Sequence, residues 1–540
     1  MSFSGDGRSF TITGAKVFTG NAKQPWASSF TVENGKIVAI DKEPQTDATV
    51  IDVGGRFISA SFGDGHAHPM FGGFEFFGPE IRGKSTVAAI QEAVREYAIE
   101  NPDLEWIIGG SYDSWIVPNG QFDAKWLDEV VADKAVVLRA TDYHTIWCNS
   151  KALELSGITA ETKDPELGWI MRREDGSPSG TLREWDAVDM VLQNAPAATL
   201  VEQVAALELA AEELSSAGIT WVQDAWVDPG MPEAYLAAIE QGRLSIRFNL
   251  GMRADARSWR EQLAWFESSR AKFDGNEFAT CNTIKFFADG VIEGHTAAIN
   301  GGYHDDPHNN GMPCWDWQEL REAVAAVDAL GFQPHIHAIG DEGLSEALNA
   351  IELAQQRNGS KTHQRPVITH VQLLNPAEIE RFAALGVVAN FEPLWACNDP
   401  LQADLTTPHV GELKALWQYP MRSMLAAGAK ISMGSDWPVT DYNPLACMEI
   451  AITRTVPNDP NSIAWIPEER LDVAQSLTAY TAGVAYQAGE ENLWGSIEVG
   501  KSADFVVLDK NPFDVLPGLI HEIKVEATWC AGEEIFSRIS

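Results

Sequence analysis

Residues 62–69 read FGDGHAHP, with His66 and His68 one residue apart at the end of an apolar run. On a strand, residues i and i+2 share a face. Two imidazoles so placed can converge on one cation, which neighbours at i and i+1 could not do. Gly65 is predicted to let the backbone turn tightly beside them. Taken alone, the pair reads equally well as two core or surface histidines, so the surrounding chain has to decide.

Outward from this stretch the chain keeps a strand-then-helix rhythm. Short β-branched and aromatic runs recur at 56–63 (RFISASFG), 218–225 (GITWVQDA), 245–252 (SIRFNLGM) and 283–290 (TIKFFADG). Four more follow at 333–340 (QPHIHAIG), 367–372 (VITHVQ), 386–393 (GVVANFEP) and 429–436 (AKISMGSD). Between them lie segments with apolar residues at three-and-four spacing, such as 201–217 (VEQVAALELAAEELSSA) and 317–330 (WQELREAVAAVDAL). Eight such units predict an α/β protein built on a (β/α)8 TIM-type barrel. A doubly wound sheet is the alternative, because strand order is invisible at this level.

Two regions do not fit the repeat. The interval after the first strand is too long for one crossover. About residues 75–205 it holds extra strand-like runs, LEWIIGG and KAVVLRA, and is predicted to be a large insertion near the barrel mouth. The chain ends read as strands and turns: SFTITGAKVFTG and SSFTVENGKIVAI at the start, GSIEVGKSADFVVLDKNPF and IKVEATWCAGEEIF at the finish. An Asn34-Gly35 turn is expected between the early strands. Residues 1–58 with 485–540 are therefore assigned to one small β-sandwich-like domain made by both ends, and 59–484 to the barrel with its insertion.

Composition narrows the function classes. The 540 residues carry a formal charge of −38, which disfavours nucleic acid and anionic membranes as partners. A hydrophobic share of 45% is enough for a large core. Six scattered cysteines without a CxxC pair fit a cytoplasmic protein. The start, MSFSGDGRSFTITG, lacks the basic-then-apolar order of an ordinary signal peptide. No run approaches the roughly 18 apolar residues of a membrane span. Spacings for a P-loop, a dinucleotide fingerprint or a nucleophile elbow are absent.

Barrel chemistry gathers where strands end and the following loops begin. The ionisable residues near those ends are His66 and His68, Lys285, His335 and His337, His370, and Asp436. One such residue is unremarkable. Histidines from three strands together with an acid suggest a centre of imidazole nitrogen and carboxylate oxygen, as zinc takes. Lys285, in an otherwise apolar strand, must be paired with an acid such as Asp289, extended to the rim, deprotonated or modified.

The set GDGHAHP, DYHTIWCNSKAL, IKFFADGVIEGHTA, HIHAIGDEG, ITHVQLL and GSDWPV resembles the metal-dependent amidohydrolase superfamily. It is most similar to amidohydrolase family 3, which includes YtcJ-like proteins and N-substituted formamide deformylases. GSIEVGKSADFVVLD resembles that superfamily's C-terminal strand region. The resemblance implies His66, His68, Lys285, His337, His370 and Asp436 as metal ligands, with one or two divalent ions. Zn2+ is expected first, with Mn2+ or Fe2+ as alternatives, and Lys285 is expected to be N6-carboxylated and bridging. Asp436 would serve as general base. His144 would act on the substrate, and Glu184 and His295 would lie on the substrate side. Independently of the resemblance, Trp395, with Trp115, Trp226 and Trp437 near predicted loops, suggests an aromatic-lined pocket. His295 stands where many relatives carry arginine.

The implied activity is hydrolysis of a non-peptide C–N bond in a small molecule, most directly an N-substituted amide or formamide. Cyclic amide or carbamate hydrolysis and deamination would use the same ligands. An isomerase and a metal-binding regulatory protein are the alternatives from other classes. A homodimer is compatible with the family.

Overall fold

The computed structural model describes residues 9–42, 49–360 and 364–538. The first eight residues of the start read above for a signal peptide lie outside the described residues. The described chain divides into two compact units: residues 1–68, 207–437 and 441–540 in one, 69–206 with 438–440 in the other.

The first unit contains an eight-stranded parallel sheet whose spatial order follows the chain. Its strands are β1 (Phe62–Ala67), β2 (Ile219–Val227), β3 (Arg247–Arg253), β4 (Ala279–Phe287), β5 (Gln333–Ala338), β6 (Val367–His370), β7 (Val388–Phe391) and β8 (Lys430–Met433). Helices such as Met231–Glu240, Trp259–Lys272, Trp317–Ala329 and Asp341–Asn358 alternate with them. This sequential order makes the fold a nearly closed (β/α)8 barrel and removes the doubly wound alternative. The strands are buried on both faces, as parallel barrel strands must be.

The barrel is drawn together at its C-terminal rim by bonds between the ends of β1 and β8. Asp436 N–H donates to His66 O at 2.7 Å, and His68 N–H donates to Trp437 O at 2.7 Å. Asp64 adds a side-chain clasp, accepting from Ser435 N–H at 3.0 Å and Ser435 Oγ–H at 2.5 Å. Gly65 is needed here for a reason other than the predicted turn. Its φ is not positive, and a Cβ would lie 2.5 Å from Asn390 Nδ2. Close approach of neighbouring strands sets the requirement.

Both chain ends build two accessory sheets in the same unit. Lys36–Ile40, Phe30–Glu33, Phe10–Thr13 and Thr49–Asp52 form one, in that order. Asn34 and Gly35 both have positive φ, which gives the expected tight turn. Glu533–Ser537, Val525–Cys530, Phe505–Leu508, Phe57–Ala60, Lys16–Phe18 and Trp26–Ala27 form the other. Phe10, Phe30, Val32, Ile58, Phe505 and Val507 share one core across the two sheets, which makes them a small sandwich. The run RFISASFG is therefore split. Phe57–Ala60 pairs antiparallel with Phe505–Leu508, and only the residues from Phe62 onward enter the barrel.

The second unit holds a five-stranded sheet in the order Trp169–Arg172, Pro178–Arg183, Thr145–Cys148, Ala135–Ala140, Trp106–Tyr112. LEWIIGG and KAVVLRA supply its two parallel strands. Two buried clusters, one around Ile107, Tyr112, Phe122 and Trp147 and the other around Val137, Ile146 and Leu182, give this insertion its own core.

One barrel carboxylate is bonded to an outer helix, Met231–Glu240, and not to the rim histidines. Asp224 in β2 is buried and accepts from Tyr235 Oη–H at 2.6 Å and Trp226 N–H at 3.0 Å. Burial pushes its carboxyl up from 3.8 to about 7, against those two bonds. Between these values the folded chain holds a proton that the unfolded chain has released. Stability from this group therefore falls as pH rises through that window. Asp224→Asn is expected to flatten this slope. Near pH 8 it should unfold at higher urea than the parent, by on the order of 2 kcal/mol. Urea titrations of both proteins from about pH 5 to 8 measure this, and parallel pH profiles would refute it.

Candidate functional site

The barrel rim gathers the histidines the sequence singles out. His66, His68, Lys285, His335, His337, His370 and Asp436 are all buried. Asp436 Oδ1 lies 2.9 Å from His68 Nε2 and 3.3 Å from His66 Nε2. These contacts are close, yet Oδ1 receives no aligned hydrogen bond. The ligand atoms of His66, His370 and Asp436 lie within 4.8 Å of one another. His370 and His337 are adjacent, with ring centroids 4.5 Å apart. Lys285 Nζ stands 3.4 Å from His66 Nε2 and 4.6 Å from the centre of the Phe287 ring.

Two of the positions sit on backbone that a side chain rarely adopts. His370 has φ +73° and Asp436 φ +55°. Left-handed non-glycine residues of this kind carry strain and cluster at functional sites. This strain leaves no trace in the strand pattern.

The surroundings fix both charge state and ring orientation. Burial, reinforced by the Lys285 charge, holds His66 well below the ordinary imidazole range. Burial also lowers His68. For Asp436 burial alone would raise the carboxyl, but contact with His66 and His68 holds it well below the usual range. The result is neutral imidazoles facing an ionised carboxylate, the form in which these groups ligate metal. Burial pushes the Lys285 ammonium down to about 7, against the nearby Asp436 and Glu392 charges. Neither a bond to Asp289 nor a reach to solvent relieves it. Asp289 instead accepts from the backbone N–H groups of Ala298, Ile339 and Gly340 at 2.8, 3.0 and 2.8 Å.

Several supporting residues were not assigned from the sequence. Glu392, just past β7, faces His370 Nδ1 at 3.0 Å and accepts from Thr369 Oγ1–H at 2.9 Å. Nδ1 of His370 is thereby engaged, and Nε2 is the nitrogen left to face the centre. The rule that marked Asp436, an acid at the end of a barrel strand, would also have marked Glu392. His335 shares β5 with His337, and its Nε2 lies 2.7 Å from His66 Nδ1. It orients the His66 ring, leaving Nε2 toward Asp436. His337 Nε2 lies 3.2 Å from Gly290 O.

The remaining predicted residues divide between places. Trp395 stacks on His370, ring centroids 5.2 Å apart at 21°. His295 lies in the loop after β4 and faces Asp305 and His409. His144 and Glu184 belong to the inserted unit. There His144 Nδ1 faces Glu184 Oε2 at 2.9 Å, with Trp185 against the imidazole. Glu184 has φ +64°.

A family model described as the amidohydrolase family matches residues 49–536. The chain belongs to the amidohydrolase family. This amidohydrolase is 29% identical to Protein LONG AFTER FAR-RED 3 of Arabidopsis thaliana, over 97% of this chain and 91% of that protein. It is 27% identical to the putative amidohydrolase YtcJ of Bacillus subtilis, over 92% and 91%. To the N-substituted formamide deformylase of Arthrobacter pascens it is 26% identical, over 97% and 98%. Its fold is similar to the crystal structure of an uncharacterized metal-dependent hydrolase from Pyrococcus horikoshii, with a TM-score of 0.76 at 22% identity, covering 94% of this chain and 99% of that one. No helix among the described residues is long and apolar enough to cross a membrane.

Proposed function

We propose that this amidohydrolase is a metal-dependent hydrolase of non-peptide C–N bonds, acting on a small N-substituted amide or formamide. The observation that carries the reading is the buried convergence of His66, His370 and Asp436 ligand atoms at the barrel rim. The name of the Arthrobacter relative, matched along nearly the whole chain, supports the substrate class.

The donor set fits a divalent ion. It combines imidazole nitrogen with carboxylate oxygen, and Asp436 Oδ1 lies 2.9 and 3.3 Å from the Nε2 atoms of His68 and His66. His66, His68, His337, His370 and Asp436 would hold the ion, with Lys285 added as an N6-carboxylate. That modification joins the neutral Lys285 amine to CO2 and releases one proton. It would convert a costly buried ammonium into an anionic oxygen ligand. Zinc suits this mixture of nitrogen and oxygen donors. When bound, the ion supplies Lewis acidity and lowers the pKa of water.

The chain's own residues do the rest. Asp436 accepts a proton from the attacking water and later returns it to the leaving nitrogen. His335 and Glu392 keep the His66 and His370 rings in fixed orientations, as outer-shell partners do. Trp395, stacked on His370, presents an apolar face beside the centre and favours substrates with an apolar or aromatic N-substituent.

Tag-free protein reconstituted with zinc and bicarbonate tests the reading. It is expected to retain about one to two zinc ions per chain that the His66→Ala/His68→Ala variant loses. It should also release amine from a panel of N-substituted formamides and N-acyl amines, with heavy oxygen from water appearing in the acid product. Zinc retention without turnover of any amide, cyclic amide or carbamate would overturn the hydrolase reading. Equal zinc in the parent and the His66→Ala/His68→Ala variant would overturn the centre itself.

A further inference from the structure

We propose that His295, Asp305 and His409 form a second divalent-cation site, of the kind zinc takes, pinning the loop after β4 to the helix after β7. It rests on its own geometry and uses none of the residues assigned to the barrel centre.

The three groups come from separate segments. His295 follows β4, Asp305 lies ten residues on, and His409 lies 104 residues beyond Asp305 in the helix Thr407–Ala415. His295 Nε2 is 3.2 Å from both oxygens of Asp305. His409 Nδ1 is 2.7 Å from Asp305 Oδ2. The two imidazole centroids are 3.8 Å apart, and all three ligand atoms fall within 4.8 Å of one another. Two ring nitrogens and one carboxylate oxygen thus converge on a common volume.

The frame beneath them is firm. Tyr303, buried, packs against the His295 ring at 4.7 Å and donates to Ala297 O at 2.8 Å. His304 N–H donates to His409 O at 2.7 Å, which fixes the two segments backbone to backbone. A local apolar cluster that includes Val291, Ile299, Tyr303 and Val410 lies under them. His295 also holds φ +58°, a backbone conformation that turns its side chain out of the regular path.

The spacing suits zinc. Bonds of roughly 2.0–2.2 Å at tetrahedral angles place ligand atoms about 3.3–3.5 Å apart. The His295–Asp305 distance of 3.2 Å is close to this, and His409 would have to withdraw by roughly 0.6–0.8 Å from its 2.7 Å contact. Asp305 is 39% exposed at its side chain, His295 26% and His409 13%. This leaves an entry path and room for water as a fourth ligand. A chain of charge −38 also concentrates cations near its surface. The triad holds together by hydrogen bonds alone when each ring keeps a proton toward Asp305. Cation binding would move each proton to the ring's other nitrogen, so that both rings ligate as neutral imidazoles, through His295 Nε2 and His409 Nδ1.

The test uses the full-length, tag-free protein loaded with ZnCl2 and desalted, with zinc per chain read by elemental mass spectrometry. His409→Ala and Asp305→Asn are each expected to hold about one zinc fewer than the parent. The double variant His66→Ala/His68→Ala should keep a zinc that adding His409→Ala then removes. This separates the proposal from the barrel reading, because either centre can fail without the other. Zinc should also protect the segment between His295 and Gly311 from limited proteolysis in the parent and not in Asp305→Asn, a readout that does not depend on His409→Ala folding. Equal zinc in the parent and both single variants, or equal protection in the parent and Asp305→Asn, would overturn the proposal.

Discussion

Asp436→Asn is expected to lower kcat by about a thousandfold, within the range that removal of a positioned acid–base group produces. The amide preserves the shape of the side chain and its carbonyl oxygen. Backbone bonding between Asp436 N–H and His66 O does not involve the side chain and should persist. Metal retention is therefore expected to fall far less than turnover. Steady-state kinetics on any hydrolysed amide, paired with metal content of the same preparation, checks this. A residual rate within tenfold of the parent would remove Asp436 from the role of base and leave it as a ligand alone.

Asp289→Ala is expected to be the most destabilising single change near the rim, at about 3–5 kcal/mol. Its carboxylate gathers three backbone N–H groups, from Ala298 in the loop after β4 and from Ile339 and Gly340 at the end of β5. Alanine would leave these donors buried without an acceptor. Gly343 already leaves room for the carboxylate, since a Cβ there would lie 2.7 Å from Asp289 Oδ2. Because Ile339 follows His337 by two residues, the same change should loosen His337 and reduce zinc retention. The urea midpoint and the zinc content of the variant measure the two effects. An unchanged midpoint would show that water replaces the carboxylate without loss.

The barrel was legible because its strands and helices differ in period, and because parallel strands buried on both faces read as continuous apolar runs. The split in RFISASFG was not legible for the same reason. Phe57–Ala60 and Phe62–Ala67 are buried alike, and burial does not say which sheet a strand joins. The rim positions of His66, His68, His337, His370 and Asp436 could be read from their places at strand ends. Their tuning partners are harder to read. His335 reaches His66 from 269 residues away, a proximity set by closure of the barrel. The His295, Asp305 and His409 cluster depends on how the loop after β4 meets the helix Thr407–Ala415. Its members carry no shared spacing.

Pairing of Phe57–Ala60 with Phe505–Leu508 has a consequence for biosynthesis. A ribosome releases the first of these strands long before it has made the second. Until then the early strand is paired on one edge only, with Lys16–Phe18, and its core lacks Phe505 and Val507. Ile58 and Phe57, buried in the folded chain, must stay shielded or transiently packed until Phe505–Leu508 emerges. The accessory sandwich thus acts as a late lock, closing only once Phe505–Leu508 has been made.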